Sequence, residues 1–357
     1  MQRYQADQVK SLLETIAQAV RVSRHDCGIL AESLILADMQ GTSTHGVSRF
    51  ATYVRRIQKG LINPCIDIAI ERQRTATLAV NANNGIGQVQ ASKVLDLLVP
   101  MARSAGCSSA TIRNSQHFGA LSYFCNRAAN HGMILLAMTN CEPSMSPAGA
   151  CEAFFGTNPI AVSFPTGKGY PIKIDLATSV VARGNIISAK RQGKSIPEGW
   201  ALDSDGNSTT DAEKALLGTV LAMAGHKGYA LALMVELFSG VLTGSAIGPE
   251  VGSMCRDPDH PQNVGHFFFL LDISAFMDPL EFIERVDRTM DTIKACRKRP
   301  GSEEILIPGE RSYRTIVANR ASGVPIGDET VHELRMLCQE LDIPFSVESG
   351  NDFPSGK

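Results

Sequence analysis

The sequence predicts an α/β fold flanked by helical ends. Three patterns carry that expectation. The first forty or so residues repeat apolar side chains at helical spacing, beginning with Leu12, Leu13, Ile16 and Val20. From about residue 70, short β-branched runs alternate with helical ones. From about Arg311 the pattern is helical again, most plainly in "VHELRMLCQEL". Helical ends around an α/β middle imply one discontinuous helical domain, 1–70 with 312–357, beside an α/β domain, 71–311.

In chain order, Ser23 and Asp26 frame a capping box ahead of a second helix carrying Leu30, Leu34 and Ala37. That helix is expected to end near Gly41. The stretch "GTSTHGVSRFATYVRRIQKGLINP" is expected to form a third helix, with Thr44 as N-cap, Gly60 as stop and Pro64 just beyond. Strands are expected at "TATLAV", "SSATIR", "MILLAMTN", "IAVSFP", "PIKIDLAT" and "HFFFLLDI". Helices are expected at "VQASKVLDLLVPMARSAG", at "LSYFCNRAANHG" closed by Gly132, and over Val180–Gln192, Tyr229–Leu242 and Leu280–Arg297. The final "SGNDFPSGK" reads as a loose tail.

Composition narrows the function classes. A net charge of −2 gives no reason to expect nucleic acid or an anionic membrane as partner. The N-terminal "MQRYQADQVKSLLETIAQAV" lacks the unbroken apolar core of a secretory signal. The longest apolar run, "YALALMVELFSGVLTG", contains Glu236 and is too short to span a bilayer, so it reads as a buried helix. The nine cysteines are scattered and form no C-x-x-C, which argues against a disulfide framework and a cysteine zinc site. A reduced, cytoplasmic protein is the expectation. His260 and His266 lie near two aspartates, but their spacing matches no standard ligand set, so no metal is expected.

The one candidate dinucleotide fingerprint fails. In "VNANNGIGQVQAS", Gly85 and Gly87 are correctly spaced, but Gln90 stands where the third glycine belongs. Other stretches bear chemistry. His45, Arg49 and Tyr53 lie four residues apart, which on a helix gives one polar edge opposite Val47, Phe50, Val54 and Ile57. That edge is either a solvated face or a substrate grip. In the second case Arg49 holds a carboxylate by a bidentate pair, and a histidine exchanges a proton with the substrate oxygen. His117, in "TIRNSQHFGALSYF", occupies a polar loop after a strand, either as a functional group or as a helix cap. The long Pro/Gly/Ser-rich connector "NCEPSMSPAGACEAFFGTNP" is of a kind that is often functional. Asp175 ends a strand, placed to orient a histidine, to accept from a ribose or carboxamide, or to cap a helix. Lys227 and Gly228 open an apolar helix and suit a phosphate, or are simply a glycine-rich turn. Pro308-Gly309-Glu310 makes a tight turn after a strand.

Seven motifs together resemble the malate/L-lactate dehydrogenase family of non-Rossmann NAD(P)-dependent oxidoreductases. They are "THGVSRFATYVRRIQKGLINP", "NSQHFGALSYF", "GTNPIAVSFP", "IDLATS", "EGWALDSDGNST", "GHKGYALALMVELFSG" and "ILIPGER", spread from Gly41 to about Pro325. The resemblance implies an unusual mixed sheet carrying the nicotinamide cofactor, usually within a homodimer. It places the acid/base histidines on His45 and His117, and the carboxylate-side residues on Arg49 and Tyr53. It places cofactor contacts on Cys141, Asp175, Leu176, Ala177, Lys227, Gly228, Gly309 and Glu310; a hydroxyl residue is common where Cys141 stands. It implies hydride transfer between NAD, or alternatively NADP, and C2 of a small malate- or lactate-like 2-hydroxy acid. Reduction of a cyclic imino acid of the piperideine-2-carboxylate type and ureidoglycolate oxidation are the alternatives within the fold. A non-catalytic ligand-binding protein is the rival from another class.

Overall fold

The computed structural model describes residues 2–254, 256–257, 259–348 and 350. Strand β1 (Gln2–Tyr4) opens the chain and is followed by helices α1 (Ala6–Ala19) and α2 (Arg24–Met39). Both helices form as the periodicity predicts. Leu12, Leu13 and Ile16 are fully buried, and Ser23 Oγ accepts from the Asp26 N–H at 3.2 Å.

The third helix departs from expectation. Only α3 (Phe50–Gln58) is α-helical, while Ser43–His45 and Val47–Arg49 are separate 3₁₀ turns and Thr44 caps nothing. The cause is a buried carboxylate. Asp38, near the end of α2, accepts the Val47 N–H at 2.7 Å. A Cβ added to Gly46 would stand 2.2 Å from its Oδ2, so the chain bends around Asp38 at the one residue without a side chain. His45 and Arg49 therefore sit on the turn ahead of the helix, and only Tyr53 lies on it. Gly60, at φ +74°, ends the segment as expected.

The middle of the chain supplies β2 (Ala69–Arg74), β3 (Thr77–Asn81), α4 (Gly87–Ala105), β4 (Cys107–Ser115), α5 (Ser122–Asn130), β5 (Met133–Thr139), β6 (Ile160–Phe164) and β7 (Ile172–Leu176). After α6 (Arg183–Arg191), three short strands, β8 (Ala201–Leu202), β9 (Ser208–Thr209) and β10 (Thr219–Val220), form a small sheet with α7 (Ala212–Leu217) beside it. Helix α8 (His226–Glu236) widens into a π-turn over Leu237–Val241. The carboxylate of Glu236 is satisfied inside the protein by Asn158 Nδ2 at 2.7 Å and the Gly248 N–H at 2.8 Å, which explains an acid within an apolar run. Strand β11 (Val264–Asp272) precedes α9 (Pro279–Lys294), α10 (Glu310–Ser322), β12 (Val324–Ile326) and α11 (Asp328–Glu340). Of the expected tail, all but Gly350 lies outside the described residues.

The main sheet has the order β2-β3-β4-β11-β5-β6-β7, with β3 and β4 parallel and every other neighbour antiparallel. Phe268 and Leu270 of β11 are completely buried beneath α4 and α5. The first and last segments share one core, in which Leu12, Leu13 and Ile16 meet Val324, Leu334 and Leu337. β1 pairs with β12 and ties the chain ends together. Neither strand is visible as periodicity, because each is only three residues long.

Candidate active site

Strand directions bring the functional segments to one edge of the sheet. β11 runs antiparallel to both β4 and β5, so those two point the same way and their C-terminal ends flank the start of β11. His266 of β11 pins all three strands just behind that edge. It lies 2.9 Å from Ser115 Oγ and 2.8 Å from Thr139 Oγ1, with Phe118 stacked on its ring at 3.8 Å. Burial holds its pKa down at about 3, so it is a neutral structural histidine.

The loop after β4 carries His117. Its backbone N–H donates to Gln262 Oε1 at 3.0 Å. Helix α4 abuts this loop so closely that a Cβ on Gly87 would stand 2.4 Å from the Gln116 carbonyl oxygen and 2.6 Å from that of His117. The second glycine of the failed fingerprint thus serves close packing against a histidine loop. Gln90, in the third glycine's place, donates to the Ile66 carbonyl at 2.8 Å.

Around His117 the side chains converge. The rings of His45 and His117 stack with centroids 5.5 Å apart. His45 Nδ1 lies 3.0 Å from Thr44 Oγ1. His117 Nδ1 lies 2.5 Å from Tyr53 Oη, which also accepts from Gln88 Nε2 at 3.1 Å. The Nδ1 edge of His117 is turned to Tyr53, leaving the Nε2 edge for the cavity. Arg49 donates through Nε to the Thr44 carbonyl at 2.7 Å, which fixes its guanidinium beside His45. Burial and the neighbouring Arg49 lower the His45 pKa. Burial, His45 and Arg49 press that of His117 well below the usual imidazole range. Both rings are therefore neutral at physiological pH.

His45, Arg49 and His117 line a cavity of about 160 Å³, together with Cys141, Glu142, Arg183 and Gln262. A second cavity of about 510 Å³ adjoins it and shares Thr44, His45, Leu121, Thr157, Pro159 and Ala182. Asp175, Leu176, Ala177 and Gly309 line this outer part, with Lys173 and Arg311. Asp175 Oδ2 also accepts the Ser122 N–H at 2.9 Å, at the start of α5. A Cβ on Gly309 would stand 2.8 Å from the Pro171 carbonyl oxygen, so only glycine lets that turn close on β7.

Four expected site residues stand elsewhere. Tyr53 is behind His117 and not in the cavity lining. Glu310 is buried and bound to Lys294 at 2.7 Å; against the upward push of burial, Lys294, the Ile307 N–H and Arg314 hold its carboxyl down at about 2. Lys227 is exposed, and Gly228 is packed onto the Met223 backbone; neither lines the two-part cleft. Their helix starts beside a separate cavity of about 670 Å³ lined by Gly225 and His226. The sequence reading missed Arg183, Glu142, Gln262 and Arg311, because none belongs to a spacing pattern. Among the described residues there is no cluster of three or more His, Cys, Asp or Glu able to hold a metal.

A family model described as malate/L-lactate dehydrogenase matches residues 4–335. The chain belongs to the malate/L-lactate dehydrogenase family. It is 34% identical over 346 residues to an L-sulfolactate dehydrogenase of Methanothermobacter thermautotrophicus, covering 97% of this chain and 99% of that protein. It is 35% identical over 349 residues to a malate dehydrogenase of Pyrococcus horikoshii, covering 96% of each. A ureidoglycolate dehydrogenase (NAD(+)) of Escherichia coli is 32% identical, covering 84% of this chain and 85% of that one. The solved sulfolactate dehydrogenase of Methanocaldococcus jannaschii superposes with a TM-score of 0.90 at 36% identity, covering 96% of this chain and 98% of that one. The expected family, fold and reaction class therefore hold: this member of the malate/L-lactate dehydrogenase family is an oxidoreductase of small hydroxy acids.

Proposed function

We propose that this dehydrogenase moves a hydride between NAD, with NADP as the alternative, and C2 of a small malate-like 2-hydroxy acid, and that His117 is its proton carrier. The observation that carries the assignment is the chain Gln88–Tyr53–His117, which backs His117 alone of the two stacked histidines. In the direction of oxidation, His117 carries its proton on Nδ1, donates it to Tyr53 Oη, and takes the substrate hydroxyl proton on Nε2. In the direction of reduction the same nitrogen returns the proton. Arg49 grips the substrate carboxylate. His45, neutral beside it, orients the hydroxyl through its own Nε2 edge. A bound nicotinamide supplies or accepts the hydride.

The outer cleft fits such a cofactor. Half-exposed Leu176 and Leu306 offer apolar surface to a base, the exposed Asp175 carboxylate suits ribose hydroxyls, and Arg311 in the first turn of α10 suits phosphate. Ala177 and Gly309 complete the lining, Cys141 borders the adjoining inner cavity, and Glu310 supports the turn that presents Gly309. We assign the helical unit, 1–70 with 312–357, to presenting Arg49 and Tyr53, and the α/β unit, 71–311, to carrying His117 and the cofactor. Exposed Leu233, Leu237 and Val241, spaced four apart, support a homodimer. The free cysteines support a reducing, cytoplasmic location. Among the described residues no helix is long and apolar enough to cross a membrane.

The test is a panel of malate, lactate and ureidoglycolate assayed with NAD and NADP, beside reduction of piperideine-2-carboxylate, for wild type and His117→Ala. Turnover of a 2-hydroxy acid is expected, reduced about 10²-fold or more in the variant. Full activity in His117→Ala, or turnover of the imine alone, sinks the proposal.

A further inference from the structure

We infer that Gln262 is a further catalytic residue, whose side-chain amide donates a hydrogen bond to the oxygen on C2 of the substrate beside the proton-carrying His117. This rests on the oxidoreductase reading above and adds a working group to the same site.

Gln262 stands two residues ahead of β11. Its backbone carbonyl accepts the Gly252 N–H at 3.0 Å, and Asn263, at φ +52°, turns the chain into the strand. The residue is 3% exposed and lines the inner cavity with His45, Arg49 and His117. Chemistry fixes which way its amide faces. The His117 backbone N–H, 3.0 Å away, is a donor, so the oxygen Oε1 must face it. Nε2 then turns from that N–H toward the cavity. Its two hydrogens meet no acceptor among the described residues. Buried donors are seldom left so, and a donor that opens on a cavity is suited to an acceptor carried by a ligand.

On the reacting end of a 2-hydroxy or 2-oxo acid there are two acceptors. Arg49 takes the carboxylate. The other is the C2 oxygen, which has to lie against His117 Nε2. Gln262 is bonded to the backbone of that same histidine, so its amide is held at a fixed place relative to the proton carrier. In reduction, hydride adds to C2, the carbonyl π pair moves onto the oxygen, and the oxygen takes the proton from His117 Nε2. In oxidation the proton goes to Nε2 and the pair returns to the C–O bond as hydride leaves. Gln262 keeps both of its hydrogens throughout. Its hydrogen bond strengthens as negative charge gathers on the oxygen, so it favours the transition state over either bound acid. A neutral donor also suits the site. Burial, His45 and Arg49 already press the His117 pKa down, and one more cation would weaken the base that oxidation needs.

The experiment measures kcat and KM for the 2-hydroxy acid that wild type oxidises fastest, with wild type, Gln262→Met and Gln262→Glu, from about pH 6 to about pH 9. Methionine keeps the volume and removes both polar atoms. Glutamate keeps an oxygen for the His117 N–H and removes the donor. At about pH 8 both variants should lose about 10- to 100-fold in kcat. The loss in Gln262→Glu, taken relative to wild type at each pH, should shrink as pH falls, because a protonated carboxyl donates again; that in Gln262→Met should stay constant. Full kcat in Gln262→Glu at about pH 8 overturns the inference. So does a loss in Gln262→Glu that is as independent of pH as that in Gln262→Met, which would make Gln262 only a support for the His117 loop. Circular dichroism and melting temperature identify a methionine variant that fails to fold, in which case the glutamate pH profile decides alone. Turnover by wild type with unaffected variants sinks this inference only, whereas no turnover of any 2-hydroxy acid sinks the oxidoreductase reading with it.

Discussion

Tyr53→Phe separates two roles for one residue. The family resemblance places Tyr53 on the substrate carboxylate, whereas the structure puts its hydroxyl against His117 Nδ1 and Gln88 Nε2. The substitution keeps the buried ring, which is 2% exposed, and removes one oxygen. The His117 Nδ1–H then loses its acceptor, since its neighbour at 3.4 Å, the Gly119 N–H, is itself a donor, and Gln88, whose Oε1 already has no partner, loses the acceptor for its Nε2. Each orphaned buried group costs about 1–3 kcal/mol, so the variant should melt several degrees lower. A positioned acid/base contributes about 10²–10⁴-fold, and a histidine free to rotate forfeits part of that. The expected loss in kcat is about 10- to 100-fold, or about 1.4–2.7 kcal/mol of barrier, with KM changed less than about twofold. Steady-state kinetics with a 2-deuterated acid read both parameters, and the isotope effect reports whether chemistry limits turnover. A raised KM with intact kcat would place Tyr53 on the substrate and refute the relay.

Three further predictions follow from buried groups. Burial pushes the Asp38 carboxyl up to about 7, against the Val47 N–H bond that favours the ionised form. A raised carboxyl pKa stabilises the fold below its ordinary value near 4 and loses that contribution as pH rises through 7. Asp38→Asn should therefore gain stability relative to wild type between pH 5 and 8, by at most about 4 kcal/mol, measured as urea midpoints; a pH-independent difference would contradict the burial argument. Gly87→Ala should destabilise by about 1–3 kcal/mol and lower kcat by displacing the His117 loop, and unchanged kinetics would separate α4 from the site. Because burial, His45 and Arg49 lower the His117 pKa, the neutral base persists below pH 6.5. The acid limb of kcat/KM for oxidation should fall below that value, and a limb at or above it would exclude His117 as the base.

Much of the fold is legible in the sequence because the major helices and strands carry strong periodicity. The misses share a physical cause. β2 is exposed along its whole length and reads "AIERQR", the polar pattern of an edge strand with no apolar face to announce it. The third helix starts later than its pattern implies because its start depends on Asp38, eight residues before Gly46, and no local pattern shows a carboxylate beneath a turn. His45, Arg49 and His117 stand out in the sequence by residue type and placement, and the fold brings all three to one cavity. Arg183 and Gln262 give no such signal, since each acts through segments distant in sequence, the Thr44 turn packed on Gly184 in the one case and the His117 loop in the other.

Strand direction explains why the site lies where it does. β4 and β5 run the same way with β11 reversed between them, and β7, reached through antiparallel β6, points that way too. Their C-terminal ends deliver His117, Cys141 with Glu142, and Asp175 to one edge of the sheet. β3, parallel to β4, leads there into Gly87 and α4. A doubly wound sheet collects ligands at the C-terminal ends of its strands with a glycine-rich phosphate turn. Here a mostly antiparallel sheet has the same gathering edge, because alternate strands across its middle share one direction. The glycine at position 87 is then needed for a histidine loop and not for a pyrophosphate, so the fingerprint could fail while the dehydrogenase chemistry remained.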